Sequence, residues 1–319
     1  MTIDRTSNAT QSQYLLSLIG KASFSMNQTQ DQVASGLVST DYTGYGNKTA
    51  LMEATRTAVN KATAYQANTT IAVNQASLQD TQLSSLSDIA NQLRQAMTQA
   101  VANNNGTTLM TEAQSIFDQV SQILNAKDAN GNYIYGGDKD QTPPFNVTSL
   151  SQLAALPNVA AAFSNGTLKK SVAISDGQTV QLGILASDIG TGLMQTLKDI
   201  ATFDAGPTGN FATSNTLSTA QSNFLTSELP TSISAANAVN SAAASNGFVY
   251  NQLQNSVAHQ QSLQTLYTGF LSNVQDVDMP TAISQLNQDQ VALQAAEKVA
   301  SQLGQITLLN YLPATTATG

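Results

Sequence analysis

Apolar residues recur at three- and four-residue steps through most of this chain, and that recurrence predicts long helices at both ends. Near the C-terminus Met279, Ala282, Leu286, Leu293, Ala296, Ala300 and Leu303 fall in one row of a helix from Met279 to about Tyr311, interrupted once by Asp289. Near the N-terminus Leu15, Leu18 and Ala22, with Ile19 and Met26 beside them, form one face of a helix that runs to about Val33 and ends near Ser35-Gly36. Both helices are poor in large side chains and rich in Ala, Ser, Gln and Thr, so pairing them buries little apolar area. At about 25 cal/mol per Å² buried, against roughly 1–2 kcal/mol of backbone entropy per ordered residue, such a pair is marginal by itself. The expectation is that both termini order only in an assembly, with Leu15, Leu18, Ala22, Met279, Leu286, Leu293, Ala300 and Leu303 as its interface.

Between the ends, a connector with Gly and Tyr-Gly breaks runs from Leu37 to Asn47, and a long helical pattern begins at Thr49. Leu83, Leu86, Ala90, Leu93, Met97 and Ala100 give it a seam of coiled-coil type, and Asn103-Asn104-Asn105-Gly106 stops it. Ala113, Ile116, Phe117, Val120, Ile123 and Leu124 predict a short helix folding back on its predecessor. Asn130-Gly131 signals a tight turn before the β-prone Tyr133-Ile134-Tyr135, and Pro143-Pro144 forces an extended exit. Val172–Ile174 and Thr179–Leu185 alternate as strands around Asp176-Gly177, a hairpin turn. Helical patterning resumes at Ile189–Phe203 and again from Leu217, where Pro230 should break or kink it, and Tyr250, Leu253, Val257, Tyr267, Leu271 and Val274 continue the seam.

The fold class that follows is mainly α: a long antiparallel helical bundle formed by N- and C-terminal segments, with a small β-containing insert domain in the middle. Residues 1–47 and 275–319 are the terminal helices and connectors, an assembly domain disordered in the monomer. Residues 48–144 and 187–274 form the central bundle, and residues 145–186 the outer insert. Spacing alone leaves each seam open between an internal core and a contact with another subunit.

Only 10% of the 319 residues are charged, so many copies could pack side by side without burying many charges. A net charge of -8 offers no basic stripe for nucleic acid, and no apolar run reaches the length for membrane insertion. Absence of Cys excludes disulfides and thiolate chemistry. The start of the chain lacks the pattern of a cleaved signal peptide, so departure from the cytoplasm would need another route. Candidate chemistry is sparse. His259 stands alone in a Gln-rich helix, Asp138 and Asp140 lack the remaining ligands of a Ca²⁺ loop, and Gly44 and Gly46 lack the strand and third Gly of a dinucleotide site. Ser35 has no base in view, and the reading is of no enzyme, no cofactor and no metal. Tyr133 and Tyr135 fit either a surface contact or an edge packed on a neighbouring helix.

Asp276-Val277-Asp278-Met279, Gln290-Val291-Ala292-Leu293-Gln294-Ala295 and Leu308-Leu309-Asn310-Tyr311-Leu312 resemble the closing segment of the bacterial flagellin family. Gly131-Asn132-Tyr133-Ile134-Tyr135-Gly136-Gly137, followed by Pro144-Phe145, is similar to its hook-associated protein 3 members, which join hook to filament. Tyr42-Thr43-Gly44-Tyr45-Gly46 departs from the Asp-Asp-Pro-Ala type segment common in flagellins. The resemblance implies an extracellular structural subunit of the bacterial flagellum, exported unfolded through the type III channel. It also implies self-association in a ring or helical layer, with the other hook-associated protein, flagellin and an export chaperone as partners. A divergent flagellin of the filament itself is one alternative. A secreted polysaccharide- or surface-binding module on a helical stalk is another.

Overall fold

The computed structural model describes the backbone of residues 2–309 and the side chains of residue 10 and residues 12–302. Seven α-helices account for most of it: α1 (Thr2–Ser35), α2 (Thr49–Ala102), α3 (Leu109–Leu124), α4 (Leu150–Ala155), α5 (Ala186–Asp204), α6 (Thr219–Gln275) and α7 (Met279–Leu309). The single sheet among the described residues is an antiparallel pair, β1 (Ser171–Ser175) with β2 (Gln178–Gln181). The chain is thus mainly α with a small β element, as the periodicity predicts. It divides into two compact units, residues up to 60 with those from 264, and residues 61–263. Both divisions fall inside long helices, so α2 and α6 each supply residues to both units.

In the unit of residues 61–263, the α2 seam Leu83, Leu86, Ala90, Leu93 and Met97 is fully buried. It packs in one cluster with Leu109, Phe117, Val120 and Leu124 of α3, Leu193, Leu197 and Ile200 of α5, and Leu225, Ala235 and Val239 of α6. The turn from α2 into α3 is made by Asn104 at φ 51°, while the Asn105 Oδ1 accepts from the Thr107 N–H at 2.9 Å. Gly106 leaves room there for the Leu217 and Phe211 side chains, which a Cβ would meet at 2.9 Å and push aside.

Phe145, Val147, Leu150, Leu153, Val159 and Ala162 belong to this same cluster, so residues 145–163 are part of the main core and not a body set apart from it. Phe145 lies 6.0 Å from Phe117 and 5.3 Å from Phe163, ring centre to ring centre. Helix α4 is held by a reciprocal cap: Ser149 Oγ accepts from the Gln152 N–H at 3.2 Å, and Gln152 Oε1 accepts from the Thr148 N–H at 3.0 Å.

The hairpin forms with Val172 opposite Val180 and Gly177 at φ 73° in the turn. It lies on the long helices, its Ile174, Val180 and Leu182 packing with Ala72, Ala76 and Leu253. One buried amide ties the hairpin to α6, Gln260 Nε2 donating to the Ile174 carbonyl at 2.9 Å, and another ties α6 to α2 beneath it, Asn246 Nδ2 donating to the Ala76 carbonyl at 2.8 Å. At the tip, Asp176 accepts from Tyr65 and Lys61 at 2.6 and 3.0 Å.

Two expectations change. Tyr133-Ile134-Tyr135 makes one bridge, Lys127 with Tyr133, and no strand, because the Gly136 N–H turns back to the Tyr133 carbonyl. Tyr135 is a core residue, fully buried with its hydroxyl donating to Gln82 Oε1 at 2.7 Å. Helix α6 runs through Pro230 unbroken. The ring is on an exposed face, and buried Leu225 before it and Ala235 and Val239 after it anchor both halves to one core, outweighing the lost backbone bond.

Candidate assembly interface

The unit that holds both ends of the chain is built on α1 against α7. Pro280 sits in the first turn of α7, where its missing N–H costs nothing, and the Asp278 carbonyl accepts from the Ala282 N–H to start the helix. Helix α1 ends at Gly36, φ 73°, whose carbonyl accepts from the Val277 N–H at 2.9 Å, and Val38 donates back to Gln275 at 2.7 Å. From that clasp the two helices diverge in sequence, residue 36 beside 277 and residue 29 beside 289, so they run antiparallel.

The rows read from periodicity meet each other here. Leu15 and Ala22 on α1, and Leu286, Leu293 and Ala300 on α7, are half-buried, while Leu18 and Met279 remain 38% and 37% exposed. Leu303, like the Leu308-to-Leu312 segment, has a side chain outside the described residues. Thr29 is the one buried residue among the described side chains of α1, and Ala282 and Asp289 are those of α7. Asp289, an interruption in the apolar row, is in fact its centre. Its Oδ2 accepts from Thr29 Oγ1 at 2.9 Å and Ser25 Oγ at 3.2 Å, and its Oδ1 accepts from Gln285 Nε2 at 3.0 Å.

Large apolar side chains lie outside the rows. Tyr14 is 64% exposed, Phe24 71% and Val291 66%, with Leu16, Ile283 and Val299 exposed as well. By helical position Phe24 and Val291 sit on the faces turned away from the seam. Row-finding missed them because it selects the residues that pair α1 with α7 and discards apolar residues off that face. Their signal was present all the same: bulky apolar residues at positions that an isolated amphipathic helix would fill with charge.

Of the residues weighed for chemistry, Ser35 and Gly44 line one surface pocket, where Ser35 Oγ donates to the Asp31 backbone carbonyl at 2.6 Å. His259 is exposed on α6. Asp138 Oδ1 accepts from the Leu168 N–H at 3.1 Å, and Asp140 pairs with Lys170 at 2.6 Å. The bond from Lys170, then that from Gln141, holds the Asp140 carboxyl below its ordinary range. Among the described residues no three His, Asp or Glu side chains gather as a metal site, and no helix is long and apolar enough to cross a membrane.

Residues 232–312 match the model of the bacterial flagellin C-terminal helical region. No curated protein matches the sequence. Among solved structures, a protein assigned as a flagellar hook-associated protein from Vibrio parahaemolyticus superposes with a TM-score of 0.58 at 17% identity, covering 74% of this chain and 99% of its own. FlgL of Bacillus cereus superposes with a TM-score of 0.51 at 14% identity, covering 69% of this chain and 98% of its own. The chain resembles the bacterial flagellin family: it carries the flagellin C-terminal helical region within a fold shared with flagellar hook-associated proteins.

Proposed function

We propose that this protein is a non-enzymatic structural subunit of the bacterial flagellum, outside the cell, that joins hook to filament. The observation that carries the reading is the incomplete burial of α1 and α7. Paired with each other they bury one residue and two residues respectively among those described, and they leave Tyr14, Phe24 and Val291 in water. A helix pair of this kind gains its missing burial from neighbouring copies. The seam residues Leu15 to Ala22 and Met279 to Ala300 then hold the pair together, and the outward apolar residues meet the next subunit. In the free chain α1 and α7 are loosely ordered and gain their order on assembly. The partners are a second hook-associated protein on one side, flagellin on the other, and copies of this chain within the layer; an export chaperone covers the ends beforehand.

Support for the flagellar setting comes from the matched C-terminal region and the shared fold. The test is deletion of the gene followed by electron microscopy of the cell surface. Hooks without filaments, restored by the gene in trans, are the expected result; normal filaments overturn the reading. The match to a flagellin region favours a second reading, a filament subunit. That reading predicts that the protein dominates sheared filaments and polymerises alone.

A further inference from the structure

A carboxylate that is 8% exposed, in the middle of an apolar row, is an expensive choice for a seam. Asp289 is satisfied by neutral donors, two hydroxyls from α1 and one amide from the preceding turn of α7. Among the described residues no cation pairs with it. Leucine there would lengthen the row Ala282, Leu286, Leu293, Ala296 and remove the desolvation cost, so the carboxylate needs a reason other than stability.

We propose that Asp289, with Ser25 and Thr29, is the specificity determinant that makes α7 pair with α1 of its own chain in one register and bars other pairings. The small side chains along both helices distinguish registers weakly, since sliding one Ala row past another changes little contact area. Asp289 changes that. A slip of seven residues keeps the apolar faces together but sets the carboxylate against Leu18 and Ala22, which replace both α1 hydroxyls with apolar side chains and leave Asp289 only the Gln285 amide of its own helix. Two α7 helices brought face to face would desolvate Asp289 against apolar residues or against a second Asp289. The reverse pairing of two α1 helices loses only the carboxylate acceptor, because Thr29 Oγ1 also reaches the Ser25 carbonyl at 2.9 Å. The discrimination therefore resides in α7. This inference stands whether or not the subunit is flagellar, because it concerns the pairing inside one chain.

The absence of cysteine makes the test clean. Counting antiparallel from Thr29 and Asp289 puts Ala22 opposite Ala296, and a seven-residue slip puts Leu15 there. Full-length A22C/A296C and L15C/A296C chains are oxidised, and in-chain and between-chain disulfides are quantified. With Asp289 present the in-chain 22–296 product should exceed 15–296 by about tenfold, the scale of charge-assisted hydrogen bonds. In the D289L background the ratio should fall toward one, or product should move between chains, with far-UV helicity retained; D289N, which keeps one acceptor oxygen for the hydroxyls and loses the charge, should restore part of it. The S25A/T29V pair, made on the other helix, should lower the ratio in the same way and guards against a local defect of α7. An unchanged ratio in D289L or in S25A/T29V overturns the proposal, as does a ratio near one in the chain with Asp289.

Discussion

At the scale of single residues, the polar side chains inside this molecule divide into those with partners and those without. Tyr135 illustrates the first kind: burial pushes its hydroxyl well above the ordinary tyrosine range, so it remains a neutral donor to Gln82. Tyr135→Phe should cost about 1 kcal/mol in chemical denaturation, the net worth of one neutral hydrogen bond with a partner that can rehydrate. Glu228 falls between the two kinds, satisfied at only one of its oxygens, through Thr231. Its Oε2 is buried without a hydrogen-bond partner, and burial first, then the Asp199 charge, raises its carboxyl above the ordinary glutamate range. The unfolded chain therefore releases this proton at lower pH than the folded one. Stability is lost as pH rises from the ordinary glutamate range through the raised folded value, and the loss persists above it. Glu228→Gln should raise the melting temperature at pH 7 and leave it nearly unchanged at pH 3.5; equal effects at both would mean the charge is not the cause.

At the scale of elements, the hairpin and the stretch before it behave differently. The sequence reading groups residues 145–186 as one outer insert, whose strands alternate and whose turn at Asp176-Gly177 points to a surface feature. Packing separates them, because Phe145, Val147, Leu150 and Leu153 enter the main core while β1 and β2 cover a second small cluster on α2 and α6. Replacing residues 145–186 with a Gly/Ser linker should abolish cooperative melting. Replacing only residues 171–181 should leave a folded, cooperative chain that is less stable by about 2–4 kcal/mol, the burial of Ile174 and Val180. Cooperative melting of the longer deletion would contradict the placement of Phe145 and its neighbours. The elements read most accurately, α3 and the α2 seam, are those whose apolar face is wide and closed on one core.

At the scale of the whole molecule, the main hydrophobic cluster and the proposed assembly helices lie in different units. Leu293 is half-buried between α1 and α7, outside the unit that holds the main cluster. Leu293→Asp should leave the principal melting transition of the purified chain within about 0.5 kcal/mol, as substitutions away from a core do, while preventing incorporation into flagella. A large drop in the main transition would place α7 in the same cooperative unit as the core. Limited proteolysis of the free chain should trim both ends first and leave a resistant product close to residues 61–263. Ends as resistant as the core would remove the need for assembly to order them.

Local physics was enough for much of this protein. Period-3.6 rows marked the long helices, Asn103 to Gly106 and Ser35-Gly36 marked their ends, and Asp176-Gly177 marked the hairpin, because helix faces, breakers and tight turns are set by residues near one another in sequence. The match of two weak rows from opposite ends was legible too, since each lacked anything nearby to bury it. Tertiary structure alone decided where the other groups belong. Only packing could carry α6 through Pro230, draw Tyr135 and Phe145 into the core, and turn Asp289 from a flaw in a row into its one charged anchor. In each case the deciding contact comes from a distant part of the chain, and a residue's local pattern carries no information about which partner will arrive there.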